Sequence, residues 1–309
     1  MIEIKNLCKT FGKTEALKNL TLSISDGQVY GLIGPNGAGK TTAMSILATL
    51  LPADSGTALV NGLDVSAQPM QVRKIIGYMP DFFGVYDGLT TWEYLSFFAS
   101  AYYIPENKHD RLINDLLELV NLQDKADSFV DNLSRGMKQR LALARCLVHD
   151  PQVLILDEPA SGLDPRARAE VKEIIRQLKS MGKTVLISSH ILPELAEICD
   201  QVGILENGRL VAGGSVAEII NGNQSTRVIN VEVDQRLEEM LQFLSTCSGV
   251  VRVDRKGSGA RLIFRGERRA QSALLKELIE QGYPVLQFAE QTGSLEDAFM
   301  AVTGEGKDK

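Results

Sequence analysis

The sequence predicts a layered α/β domain with a largely parallel sheet, followed by a small α+β domain of ferredoxin-like order. Three observations carry this reading. Short apolar strands alternate with helical stretches over residues 1–222, the pattern of a sheet wound with helices. A glycine-rich loop ending in Lys40-Thr41-Thr42 joins an apolar strand to a helix. Beyond the polar break Gly222-Asn-Gln-Ser-Thr226, the order becomes βαββαβ within about 75 residues.

The elements follow from apolar spacing. Strands are predicted over 28–33, 57–60, 152–156, 184–188 and 201–206. Strand signals vanish between 88 and 150, where 90–103, 109–121 and 134–149 read as helices, so the first domain carries a helical insert. In the second domain, 223–304, strands are predicted over 227–233, 250–254, 261–265 and 284–289. Helices are predicted over 235–246, 268–281 and 295–302, and the polar tail 305–309 reads as disordered.

Bulk properties narrow the class. At 309 residues, with 44% hydrophobic and 23% charged residues, the chain suits about two globular domains. A net charge of −6 gives no basic footprint, so no nucleic-acid partner is expected. Cys8, Cys146, Cys199 and Cys247 are scattered without C-x-x-C spacing, which reads as reduced structural thiols. The first residues carry charges and lack the apolar core of a signal peptide. No 18 consecutive apolar residues occur, so any service to a membrane is expected to be by docking.

The loop Gly34-Pro35-Asn36-Gly37-Ala38-Gly39-Lys40-Thr41-Thr42 matches G-x-x-x-x-G-K-[ST] between a strand and a helix, the setting that motif needs. Its glycines free backbone N–H groups to face phosphate oxygens, and the helix N-terminus adds its positive dipole end. Lys40 is a candidate for the β and γ phosphates, and the Thr41 hydroxyl for Mg²⁺. A second apolar strand runs into Asp157-Glu158. Asp157 is a candidate holder of the Mg²⁺ shell, and Glu158 of the water that attacks the γ-phosphate. Together the two motifs predict binding and hydrolysis of a nucleoside triphosphate.

Leu133-Ser134-Arg135-Gly136-Met137 carries the resemblance to a family. The chain resembles the ATP-binding subunits of ABC transporters, whose signature reads LSGGQ at this place; Ser134 and Gly136 match, Arg135 and Met137 do not. Ser134 as a helix N-cap, with Gly136 allowing close approach, makes a second anion cradle. The resemblance extends to Ser161-Gly162-Leu163-Asp164 as the D-loop, to His190 as the switch histidine at the γ-phosphate, and to Phe11 as the aromatic that stacks on adenine. It implies ATP and Mg²⁺ as ligands and a P-loop NTPase core of ABC type. It also implies two ATP molecules held between two such subunits, identical or related, each site using Lys40 and Glu158 of one chain and Ser134 of the other. His109 and His149 read as structural.

One departure concerns the metal. The family has Gln at the end of the strand Ile75-Ile76-Gly77-Tyr78-Met79-Pro80, where this chain has Asp81. Its carboxylate remains a hard oxygen ligand that Mg²⁺ accepts.

Nine of the chain's 18 aromatic residues lie between Phe82 and Tyr103, and some are expected to line a groove. In the family this stretch receives a cytoplasmic helix of an integral membrane permease subunit. The implied location is therefore peripheral, on the cytoplasmic face of the membrane. The C-terminal domain resembles the accessory domain of multidrug, antibiotic and polysaccharide exporters. A soluble ATPase of the same type, or a nucleotide-switched scaffold, is the competing class.

Overall fold

A computed structural model describes residues 1–82, 84, 88–221, 226–266, 268–291, 295–296 and 298–299. It separates into two compact units, Met1–Val216 and Ala217–Gly304.

The first unit contains two sheets. Strands β1 (Ile2–Phe11), β2 (Thr14–Ile24), β4 (Ser55–Val60) and β5 (Leu63–Asp64) form an antiparallel sheet in the order β2-β1-β4-β5. The strand predicted near residue 57 therefore belongs here, not to the parallel sheet. The second sheet comprises β3 (Val29–Ile33), β6 (Ile76–Met79), β7 (Val153–Asp157), β8 (Thr184–Ser188), β9 (Gln201–Glu206) and β10 (Arg209–Ser215). Its order is β10-β9-β3-β8-β7-β6, parallel throughout except for the edge strand β10. β3, β7 and β8 are buried along their whole length, which explains their unbroken apolar runs.

Helix α1 (Lys40–Leu47) packs Ala43, Met44, Ile46 and Leu47 into a core shared by both sheets, with Ile2, Leu20, Ile24, Leu32 and Val153. α2 (Pro69–Ile75) leads into β6, and α6 (Pro165–Ser180) and α7 (Leu192–Ile198) follow β7 and β8.

The insert consists of α3 (Thr91–Ala101), α4 (His109–Leu119) and α5 (Arg135–Leu147). α3 opens with a capping box: Thr90 Oγ1 accepts the Glu93 N–H, and Glu93 Oε2 accepts the Thr90 N–H. His109 is buried between Ser96 Oγ and the Ile104 carbonyl, each at 2.9 Å. His149 stacks on Tyr102 at 3.9 Å and reaches the Ile76 carbonyl at 2.8 Å. Both are structural histidines, as their sequence setting suggested.

Helix α8 (Val216–Asn221) begins at the division between the units. In the second unit, β11 (Thr226–Val233), α9 (Leu237–Thr246), β12 (Val250–Lys256), β13 (Gly259–Arg265), α10 (Arg268–Glu280) and β14 (Val285–Gln291) give the predicted βαββαβ order. The antiparallel sheet runs β12-β13-β11-β14. Ile229, Val231, Leu262, Phe264, Met240, Leu244, Leu274 and Leu278 form its own core. Of the predicted closing helix over 295–302, residues 295–296 and 298–299 are described and helical, while the tail 305–309 lies wholly outside the described residues.

Candidate functional site

Parallel pairing places the predicted loop, carboxylates and His190 at one edge of the sheet; Phe11, Ser134 and Gly136 lie on other elements. Leu32 on β3 is in register with Ser188 on β8, and Ser188 with Asp157 on β7. Met79 on β6 is in register with Leu156. The glycine-rich loop, Asp157-Glu158, His190 and Asp81 thus all leave the sheet from its carboxyl edge, where parallel α/β sheets bind ligands.

The loop is fastened from behind. The Gly208 N–H donates to the Ala38 carbonyl at 3.0 Å, and the Lys18 N–H to the Gly208 carbonyl at 2.8 Å. A Cβ on Gly34 would meet the Leu205 carbonyl oxygen at 2.3 Å, and one on Gly39 the Ala16 carbonyl oxygen at 2.5 Å. Those two glycines are therefore required by the chain's own packing as much as by any ligand. Gly37, at φ +81°, faces open space and keeps the outer rim of the loop clear. Asn36 lies beside it, exposed. α1 has no side-chain cap, so the N–H groups of its first turn, including Lys40, Thr41 and Thr42, are free of intrahelical partners.

Lys40 is buried, and its Nζ donates to the carbonyls of Gly34 at 2.6 Å and Pro35 at 3.3 Å. Burial lowers its pKa, while the nearby Glu158 and Asp157 carboxylates act in the opposite direction. A cationic group folded against its own loop, near two carboxylates, is poised to exchange carbonyl partners for phosphate oxygens.

Asp157 is almost wholly buried. Its Oδ1 accepts the Ser188 hydroxyl, while the buried Oδ2 has no hydrogen-bond partner among the described residues. An anionic oxygen left open in this way fits a hard cation, and exposed Thr41 supplies a hydroxyl at the first turn of α1. Glu158 takes φ +50°, a conformation unusual for a residue with a side chain. Ser188 Oγ holds it there by accepting the Glu158 N–H at 2.9 Å. His190 Nδ1 lies 2.8 Å from Glu158 Oε2, and the histidine is the more exposed of the two. Ser188 thus binds both carboxylate residues, a role that was missed in the sequence. The available signal was a polar residue closing an apolar strand two positions before His190.

Phe11 ends β1 about half exposed, with Lys9 Nζ 5.6 Å from its ring centre. An exposed ring of this kind is free to stack on a base. Ser134 caps α5, accepting the Met137 N–H at 3.3 Å. Gly136 also has a packing role within the chain. Its missing Cβ faces Ala167 of α6 at 2.9 Å, so the glycine serves the α5–α6 contact. Asp81 is exposed beyond the end of β6.

Residues 17–161 match the family described as "ABC transporter". Residues 214–303 match "ATP-binding protein DrrA1-3-like, C-terminal domain". The chain is 36% identical over 302 residues to an uncharacterized ABC transporter ATP-binding protein of Bacillus subtilis, covering 98% of this chain and 99% of that one. It is 32% identical over 304 residues to a Nod factor export ATP-binding protein I of Ralstonia nicotianae, covering 98% and 94%. A solved structure described as the ATP-binding subunit of an ABC transporter superposes with a TM-score of 0.65 at 32% identity, over 72% of this chain and 92% of that one.

Proposed function

The chain belongs to the ATP-binding subunits of ABC transporters, and on that basis we propose that it powers export through a separate membrane-spanning permease. It is an ATP-binding and ATP-hydrolysing subunit. The observation that best supports the assignment of roles is the Asp157–Ser188–Glu158–His190 cluster at the sheet edge that also carries the Lys40 loop.

In this reading the triphosphate lies on the N–H groups of the loop and of the first turn of α1, with Lys40 turned from its carbonyls toward the β and γ phosphates. Phe11 stacks on the adenine. Thr41 and the open Oδ2 of Asp157 would hold Mg²⁺, with Asp81 near the same edge. The metal's contribution is to neutralise phosphate charge. Glu158 accepts the proton of the attacking water, and His190 orients that carboxylate through Nδ1. The positive φ of Glu158 is backbone strain kept at a reacting group.

Ser134 is exposed at the N-terminus of α5 that it caps, a ready seat for a phosphate held by a second ATP-binding subunit. Among the described residues no helix is long and apolar enough to cross a membrane. Phe82 and Tyr103, 89% and 94% exposed, with half-exposed Phe97 and Tyr102, offer aromatic surface of the kind enriched in interface cores. This supports docking of a permease there, at the cytoplasmic face of a membrane. Phe83 and Tyr86, in the same stretch, lie outside the described residues.

The decisive experiment is Glu158→Gln in the chain co-purified from membranes with its permease. Turnover is expected to fall by roughly 10²- to 10⁴-fold, the scale of a lost general base, while ATP binding persists. Unchanged turnover would overturn the role of Glu158. Failure to recover a polytopic partner would favour a soluble ATPase instead.

A further inference from the structure

We propose that Arg135 is a positioning residue that ties the N-terminus of α5 to the turn carrying Glu158, so that engagement of Ser134 is felt at the hydrolytic carboxylate of the same chain. The inference rests on the function proposed above and adds a link between its two phosphate-facing elements.

Arg135 stands where the family signature has glycine. Its Nη2 donates to the Ser161 carbonyl at 3.2 Å. The Ser161 N–H in turn donates to the Glu158 carbonyl at 3.0 Å. Two hydrogen bonds therefore separate the residue after Ser134 from the backbone of Glu158. The guanidinium also has a fitted seat. A Cβ on Gly162 would lie 2.4 Å from Nη2, 2.5 Å from Cζ and 2.7 Å from Nη1. The planar group thus lies flat against the bare α-carbon, and φ at Gly162 is +67°. Among the described residues Arg135 has no ion pair, and its Nη2 hydrogen-bonds the turn at the Ser161 carbonyl.

Neighbouring contacts stiffen the same junction. Asp164 Oδ1 caps α6 by accepting the N–H groups of Arg166 at 2.9 Å and Ala167 at 3.0 Å. Gly136 brings α5 against that same Ala167. The first turns of α5 and α6 and the 161–164 turn therefore form one packed unit. A planar fork suits this seat in a way that a lysine ammonium does not.

The test uses the full-length chain. Without nucleotide, hydrogen exchange across 159–164 should quicken roughly threefold to tenfold in Arg135→Ala, the scale of one partly exposed charge-assisted hydrogen bond, with β7 unchanged. Arg135→Lys, which keeps the charge and loses the plane, should behave alike. At saturating ATP, kcat should fall by a similar factor with KM unchanged. Gly162→Ala should reproduce the defect, and the double variant should be no worse than either single one. Unaltered exchange at the turn overturns the proposal, as does quickened exchange with unaltered kcat. A kcat defect rescued by Arg135→Lys would mean that the charge acts on a phosphate instead. Absence of turnover in the unsubstituted chain would count against the proposed function, while the exchange measurement would still decide the tether.

Discussion

Ser188 shows how much one hydroxyl organises at the site. It donates to Asp157 Oδ1 and accepts the Glu158 N–H at 2.9 Å, so Ser188→Ala leaves a buried carboxylate oxygen and a strained amide without partners. Each unpaired buried group costs about 1–3 kcal/mol. We expect kcat to fall roughly tenfold, since about 1.4 kcal/mol is one decade in rate, with nucleotide affinity nearly unchanged in an equilibrium titration. Tyr30 offers a second test at this scale. Burial pushes its phenol up to about 12 from 10.0. Between those values the folded chain holds a proton that the unfolded chain has released, so stability falls as pH rises through that window. Tyr30→Phe should remove that loss, up to about 1.4 kcal/mol per pH unit. Denaturant unfolding at several alkaline pH values measures it; equal slopes for both proteins would refute the assignment.

At the scale of elements, Gly203 on β9 and Thr90 ahead of α3 are the informative positions. A Cβ at Gly203 would sit 2.3 Å from Tyr30 Oη on the neighbouring β3, so Gly203→Ala should destabilise the first unit by about 1–3 kcal/mol through overpacking. Thr90→Ala removes the capping box and should cost about 1 kcal/mol, read as a lower denaturation midpoint of the same unit. The contrast between strands also shows what a sequence displays. β3, β7 and β8 were legible because burial on both faces leaves continuous apolar runs that end in the site residues. β1 was not, because its register with β2 shifts between Ile4 and Leu7 and again before Lys9. Asn6 there takes φ +50°. The bulges break the period-two pattern that betrays a strand. For the same reason Phe11 could be named from resemblance but not placed from spacing. Ser188 was overlooked because a single serine carries no pattern until its register with Asp157 is known.

For the whole molecule, the two compact units have separate hydrophobic cores, and the proposed nucleotide chemistry lies entirely in the first. Yet in the proposed function that unit presents its phosphate-binding groups as two incomplete sets. One is the Lys40 loop with its carboxylates; the other is the exposed N-terminus of α5 with Ser134. A net charge of −6 opposes self-association at long range, so nucleotide is needed to join like surfaces, and lower ionic strength should weaken the pairing. Glu158→Gln with ATP and Mg²⁺ should therefore sediment near twice the chain mass of 33.8 kDa, and return to monomer when ATP is replaced by ADP. Adding Lys40→Ala should abolish the dimer by removing the phosphate grip. Ser134→Arg should abolish it while leaving ATP binding to the monomer intact, because in the proposed pairing that residue faces only the partner's nucleotide. A dimer that forms equally without ATP, or that survives both substitutions, would place the pairing surface elsewhere on the chain.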